Sequence, residues 1–223
     1  MTFYFGDLLP YAPLLLKSLW VSVYLSVVAM LVGGALGVLL YSGKSGRLSL
    51  VRVISSAYIE IFRNTPLLVQ LYLIYFGLPE LGLNLNATWA GLIALTLNNA
   101  AYTAEIYRAG FESVSRGLVE AGQALGMKSR QVFRYVVFMP ATRNVFPALT
   151  NQLILLFLAS SIASIIGLPE LMNSILNVNS ETYRTFEILA IGGLLYFSAS
   201  ALLAIGSKLA EMKLFAWAEK SNA

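Results

Sequence analysis

The chain has 223 residues, of which 58% are hydrophobic and only 12% are charged. Soluble domains carry about 25% charged residues, so this composition predicts an integral membrane protein. There is no cysteine and no histidine. Their absence excludes disulfides, thiolate nucleophiles, histidine acid–base catalysis and the usual transition-metal sites. We therefore expect no cysteine- or histidine-based active site and no bound metal.

Five segments have the length and apolar character of membrane spans, which need about 20 mostly apolar residues each. They lie at about residues 14–41, 53–78, 87–108, 145–168 and 188–207. The second contains Glu60, Arg63 and Pro66. We expect this span to be broken or kinked at residues 64–66, because proline removes a backbone donor and disfavours helix at the preceding residue. The sequence thus predicts an all-α membrane protein with one domain over residues 1–223.

Basic residues follow the first, third and fifth spans. They are Lys44, Arg47 and Arg52 after the first, Arg108, Arg116, Lys128, Arg130, Arg134 and Arg143 after the third, and Lys208, Lys213 and Lys220 after the fifth. The connections after the second and fourth spans contain a single basic residue, Arg184. Because short loops rich in Lys and Arg stay in the cytosol, this distribution predicts an N-terminus outside the cell and a cytosolic C-terminus.

One polar segment, at about residues 112–140, lies on the predicted cytosolic side. Ser115 is placed to start a short helix, and Gly126 is placed to end it. Ser129 is placed to cap a second short helix, which would also lie below the membrane. The pattern is compatible with an amphipathic surface loop and with a docking element for a cytosolic partner, and it does not choose between them.

Residues 120–126 read Glu-Ala-Gly, three residues, then Gly, and they resemble the EAA loop of ABC importer permeases. The segments FRNTPLLVQLYLIYFGLP, at 62–79, and NNAAYTAEIYRAGFESV, at 98–114, are similar to stretches of the polar amino-acid permease subfamily, which serves histidine, glutamine, glutamate and arginine. The resemblance covers about residues 14–207. It implies the type I importer permease fold, called MetI-like, in the bacterial cytoplasmic (inner) membrane.

The resemblance also implies a function and a set of partners. The chain would form half of a pore for polar amino acids, surrounded by membrane lipid, and as a transport subunit it would not itself be an enzyme. A second permease, two cytosolic ATPase subunits that bind ATP and Mg²⁺, and an extracytoplasmic amino-acid-binding protein would complete the importer; neither a cofactor on this chain nor nucleic acid is expected. The contact with the ATPase is expected at Glu120, Ala121, Gly122, Ala124, Leu125 and Gly126.

Leu158 departs from the family pattern, which often has a lysine at this position of the fourth span. An apolar side chain cannot hold a substrate carboxylate. This departure favours a non-identical paralogue as the second permease, carrying most of the substrate contacts.

Polar residues in and near the spans are the candidate substrate pathway. They are Arg63, Asn64, Thr65, Asn98, Tyr102, Glu105, Ser160 and Ser161. Arg63 and Glu105 could instead pair with Glu60 and Arg108, which lie one helical turn away. The uncharged members could simply hold helices together.

An ion-coupled secondary transporter of small polar solutes is the alternative function. Such transporters often contain inverted repeats, but no internal repeat is visible and five spans do not divide into two halves. Gly33 and Gly37 form a GxxxG pair, which favours close helix packing more than any specific dimer.

Overall fold

The computed structural model describes residues 4–215, and the predicted Lys220 of the basic tail lies outside this range. All regular elements between residues 4 and 215 are helical, in agreement with the predicted all-α class. A 3₁₀ helix, Phe5–Tyr11, leads into α1, Ala12–Lys44. The other helices are α2 (Ser49–Asn64), α3 (Leu67–Glu80), α4 (Ala87–Glu112), α5 (Arg116–Ala124), α6 (Ser129–Ile166), α7 (Leu171–Thr182) and α8 (Thr185–Leu214).

Within residues 4–215, three helical stretches are long and apolar enough to cross a membrane, namely Phe5–Lys44, Ser129–Ile166 and Thr185–Leu214. They contain the first, fourth and fifth predicted spans. The third predicted span lies in α4, whose 26 residues would extend about 39 Å at 1.5 Å per residue. Polar side chains such as Asn98, Asn99 and Thr103 lower the hydropathy of α4. The five-span topology therefore stays a prediction.

The break predicted in the second span is present. α2 ends at Asn64, and both Thr65 and Pro66 are extended. Pro66 has no N–H, so the carbonyl of Phe62 cannot receive its helical hydrogen bond. The buried side chain of Gln70 replaces that donor, because its Nε2 lies 2.9 Å from the Phe62 carbonyl oxygen and 2.8 Å from Thr65 Oγ1. The break is thus held in one conformation by a side chain from α3.

The second short helix predicted after Gly126 is wrong as a separate element, because it continues without interruption into the fourth span as α6. Pro140 lies within this helix, and the turns before it widen to a π-helix over Val132–Phe138. The widened turns lie directly before Pro140, where the regular pattern of helical hydrogen bonds lacks the proline N–H. The predicted Ser129 cap is also wrong. The N-cap is one residue earlier, at Lys128, whose backbone N–H donates to Gln131 Oε1 at 2.8 Å.

The core is built on α1 and α4, which pack closely along small residues. A β-carbon placed on Gly37 would overlap Thr103 Oγ1 and lie 3.0 Å from the backbone nitrogen of Ala104. Thr103 Oγ1 donates to the Gly33 carbonyl at 3.2 Å, a bond that a larger residue on α1 would push apart. The GxxxG pair therefore supports packing within the chain.

Helix α7 was not predicted from the sequence. Its start is capped by the fully buried Glu170, whose carboxylate accepts from the backbone N–H groups of Met172 and Asn173 at 2.9 and 2.7 Å. Ser22 of α1 and Tyr196 of α8 also donate to this carboxylate, at 3.2 and 3.1 Å. One carboxylate thus joins three helices.

Candidate substrate pathway and coupling loop

Two open cavities lie side by side between α2, α4 and α6. The break-side cavity, of about 530 Å³, is lined by Arg63, Asn64, Thr65, Pro66, Leu67, Asn98, Tyr102, Gln152, Leu155, Leu156, Ala159 and Ile162. The loop-side cavity, of about 590 Å³, is lined by Arg63, Tyr102, Glu105, Ile106, Arg108, Ala109, Gly110, Ser113, Asn144, Ala148, Asn151 and Gln152. Six of the eight predicted pathway residues line one or both.

Arg63, Tyr102 and Gln152 line both cavities and therefore mark the passage between them. Each comes from a different helix, α2, α4 and α6. The guanidinium carbon of Arg63 lies 5.7 Å from the centroid of the Tyr102 ring, within the range of a cation–π contact. Gln152 Nε2 donates to Asn99 Oδ1 at 3.1 Å, which fixes the orientation of its side chain.

Glu105 is the centre of an ion-pair cluster beside this passage. Its carboxylate lies 2.7 Å from Lys44 Nζ and 2.8 Å from Arg108 Nε. Arg63 Nη1 is further away, at 3.7 Å from Glu105 Oε2. Arg108 also pairs with Glu112. The predicted pairing of Glu105 with Arg108 is confirmed. Glu105 lines the loop-side cavity as well, and its place in a substrate pathway stays a prediction.

Arg63 pairs with Glu105 and not with Glu60, the alternative partner one helical turn away. Arg63 faces Glu105 on α4, while Glu60 Oε2 accepts a hydrogen bond from Asn64 Nδ2 at 3.0 Å. Spacing along one helix could not reveal the preferred partner, because Glu105 lies on another helix.

Ser160 and Ser161 are separated from both cavities. Each donates to a carbonyl of its own helix at 2.7 Å, from Ser160 to Phe157 and from Ser161 to Leu158. Ser160 is fully buried. Both serines lie in α6 within the predicted fourth span, and neither lines either cavity.

Asn144, Asn151 and Gln152 line the cavities but were not among the predicted site residues. The sequence feature that could have identified them is the presence of amide side chains in and next to a span that carries no charge. Leu158, which stands in place of the expected lysine, is 41% exposed and lines neither cavity, whereas its neighbours Leu155 and Ala159 line the break-side one.

The polar loop contains the predicted short helix, α5. Ser115 Oγ accepts from the backbone N–H of Leu118 at 3.4 Å, and Gly126 follows the helix with a φ of +77°. This is the left-handed conformation that glycine adopts at helix ends without strain. The predicted beginning and end of this helix are therefore confirmed.

The coupling residues divide into two sets. Glu120, Ala121, Ala124 and Leu125 are exposed, and Leu125 is 82% exposed at the end of α5. Gly122 is buried, and a β-carbon there would lie 3.3 Å from Val136 and 3.5 Å from Val132 of α6. The close approach at Gly122 is therefore to α6 of the same chain, and the contact of all six residues with an ATPase stays a prediction.

Spanning-length apolar helices, a polar cleft and an exposed glycine-terminated helix define the class of this protein as a multi-pass membrane permease. Residues 29–214 match the family model described as binding-protein-dependent transport system inner membrane component. The chain belongs to this family, whose members are permease subunits of ABC importers.

Individual relatives support this assignment. The arginine transport system permease protein of Bacillus subtilis is 36% identical over 94% of this chain and 96% of its own length. A crystal structure of an amino acid ABC transporter with histidines contains a chain that is 37% identical, with a TM-score of 0.89 over 96% of this chain and 100% of that one. The methionine ABC transporter MetNI, in an inward-facing conformation, is 23% identical with a TM-score of 0.67 over 92% of this chain and 98% of its own.

These matches confirm the predicted resemblance to ABC importer permeases of the amino-acid type, the MetI-like fold and the location in the inner membrane. They decide against the secondary transporter that was the alternative.

Proposed function

We propose that this chain forms half of the translocation pore of an ATP-driven importer for a polar amino acid. The observation that carries the proposal is the open polar cleft, whose two cavities meet at Arg63, Tyr102 and Gln152. One subunit leaves this cleft uncovered on one side, and a second permease would close it. Relatives named for arginine and for amino acids support the class of cargo.

The exposed face of α5 is the proposed coupling contact. Leu125, at the end of this helix, offers a large apolar side chain to a partner surface, and Glu120 offers a negative charge. Two cytosolic ATPase subunits would bind α5 of each permease and would hold the ATP and Mg²⁺. Closure of the ATPases would then move α5 and α6 together, since Gly122 packs directly on α6.

The second permease is proposed to be a non-identical paralogue. Leu158 places no cation on a helix face that neighbours the break-side cavity, which favours a second permease that does carry one. An extracytoplasmic binding protein would deliver the amino acid to the opposite end of the pore. The chain as a whole would act as a single permease domain with five spans, its N-terminus outside and its C-terminus in the cytosol.

The function is tested by reconstituting the complete importer in proteoliposomes. The chain is co-expressed and purified with the second permease and the ATPase of its importer, and the binding protein is added. Uptake of each of the twenty radiolabelled L-amino acids is then measured. We expect uptake of at least one polar amino acid that requires both ATP on the ATPase side and the binding protein. Uptake driven by an ion gradient without the ATPase, or no uptake of any amino acid, would contradict the proposal.

The coupling contact is tested in the same system with a matched pair of substitutions. Leu125→Ser should abolish ATPase binding and uptake, since it removes the exposed apolar group of α5. Leu81→Ser is the control, because Leu81 is 77% exposed but follows α3, far along the chain from α5. Equal ATPase binding by the two variants would exclude Leu125 from the contact.

A further inference from the structure

We infer that Arg63 binds the α-carboxylate of the transported amino acid, and that Glu105 competes for Arg63 and so releases the cargo. The inference rests on the proposed transport function and adds to it a named group of the substrate, a named binding residue and a means of release.

The first observation is that three cations lie at unequal distances from the Glu105 carboxylate. Lys44 and Arg108 lie at hydrogen-bond distance from its carboxylate, 2.7 and 2.8 Å, whereas Arg63 lies at 3.7 Å. Among the described residues, this cluster contains three cations, Lys44, Arg63 and Arg108, and two carboxylates, Glu105 and Glu112. One positive charge is therefore in excess, and Arg63 is the most loosely held of the three cations.

The second observation is the position of Arg63. Within residues 4–215, it is the sole charged side chain that lines the break-side cavity, and it lines the loop-side cavity too. Its side chain is 39% exposed and lies one residue before the end of α2. An amino acid that moves from one cavity to the other along their shared lining would contact this guanidinium.

The chemistry of the passage requires a cation. A carboxylate that leaves water for a cleft lined by Leu155, Leu156 and Ile162 loses hydration and needs a charged partner. Guanidinium offers two parallel N–H donors in the geometry of a carboxylate, and such charge-assisted pairs are stronger than neutral ones. The other polar residues of this cavity are uncharged. Asn98 and Thr65 already take part in the hydrogen bonds around Gln70, Asn64 and Gln152 donate to Glu60 and Asn99, and Tyr102 offers a single hydroxyl.

Glu105 supplies the release step. When Arg63 turns to the substrate, Lys44 and Arg108 keep Glu105 neutralised, so the exchange leaves no unpaired buried charge. When the cargo moves into the loop-side cavity, Glu105 attracts Arg63 back and the carboxylate loses its partner. No bond is made or broken, and the exchange is between two carboxylates for one guanidinium.

The experiment uses the assembled complex of both permeases and the ATPases in nanodiscs, without the binding protein. The probe is the radiolabelled amino acid that the wild-type importer transports best, and its α-carboxamide is the competitor. We expect the wild-type complex to prefer the carboxylate over the amide. Arg63→Gln should weaken binding about 10- to 100-fold and abolish that preference. Arg63→Lys should lose part of the preference because lysine lacks the planar fork. Lys208→Gln, an exposed cation on α8, should change neither.

Glu105→Gln tests the release step and stays informative if Arg63→Gln fails to assemble. Without the competing carboxylate, binding should tighten several-fold and the amino acid should dissociate more slowly. Unchanged affinity and unchanged amide preference in Arg63→Lys and Glu105→Gln would overturn the inference while transport itself stands. A wild-type importer that transports but whose complex shows no measurable carboxylate preference would also overturn it. Failure of the wild type to transport any amino acid would instead defeat the proposed function.

Discussion

Glu170 is a fully buried carboxylate whose hydrogen-bond donors come from three helices. Removing it leaves the backbone N–H groups of Met172 and Asn173 and the hydroxyl of Tyr196 without their acceptor. An unsatisfied buried donor costs about 1–3 kcal/mol. The residue therefore stabilises the junction of α1, α7 and α8 although it lines neither cavity.

We predict that Glu170→Ala lowers the stability of the detergent-solubilised complex by roughly 3 kcal/mol, and that Glu170→Gln lowers it by less, because the amide retains one acceptor oxygen. Thermal unfolding followed by circular dichroism measures both. The control is Glu181→Ala, since Glu181 is exposed and accepts one bond from Tyr11; its effect should stay within about 0.5 kcal/mol. Equal shifts for the two alanine variants would show that the buried network contributes little.

Gly126 forms the turn after α5, the helix that is proposed to contact the ATPase. Its φ of +77° costs roughly 1–2 kcal/mol for a residue with a β-carbon, although no atom of the protein lies within 4 Å of that position. We predict that Gly126→Val reduces ATP-dependent uptake and loosens the ATPase, while Gly126→Asn retains both, because asparagine tolerates the left-handed conformation.

Gly117 lies on α5, the helix that Gly126 follows, and is the matched control for Gly126. It also has open space around it, and its φ is not positive. Gly117→Val should therefore keep uptake and ATPase binding close to wild type. Full uptake by Gly126→Val would show that coupling does not depend on the left-handed turn at Gly126.

At the scale of helices, the packing of α1 on α4 depends on the absence of side chains at Gly33 and Gly37. The obstacle at Gly37 includes the backbone nitrogen of Ala104, which cannot rotate away as a side chain can. A larger residue there must separate the two helices, and overpacking typically costs about 1–3 kcal/mol.

We predict that Gly37→Ala lowers the unfolding temperature of the complex and weakens the Thr103 bond to Gly33. Gly193→Ala on α8 should not lower it, since nothing lies within 4 Å of a β-carbon there. Thermal unfolding of the two variants in the same detergent provides the measurement. A destabilised Gly193→Ala with an unaffected Gly37→Ala would contradict this packing.

At the scale of the whole molecule, the arrangement of α5, α6 and α7 determines sidedness. α6 is long and apolar enough to cross the membrane, and α5 precedes its start while α7 follows its end. The two flanking helices therefore lie on opposite sides if α6 spans. The basic residues around α5 predict that its side is the cytosol.

Single-cysteine labelling tests this topology directly, because the chain has no cysteine of its own. Gln123 of α5 and Asn177 of α7 are both exposed polar residues suited to replacement. We predict that an impermeant maleimide labels Asn177→Cys in spheroplasts, and labels Gln123→Cys only after the membrane is opened. The opposite result would invert the protein and make contact with a cytosolic ATPase through α5 impossible.

The sequence alone determined the features that depend on local backbone chemistry and on composition. Its apolar runs predicted a helical membrane protein. Pro66 located the break after α2, Ser115 and Gly126 located the ends of α5, and the ordered motifs identified the importer family. These predictions succeeded because a missing N–H, a side-chain cap or a left-handed φ acts within a few residues of the amino acid that causes it.

Only the tertiary structure decided which side chains meet. Glu60 lies one helical turn from Arg63 along α2, but helix packing brings Glu105 of α4 to it instead. Packing also turned Gly122 toward α6 and placed Gln152 between the two cavities. Contacts of this kind depend on the rotation and separation of helices that are distant in the chain, and a helical periodicity specifies a face without specifying what covers it.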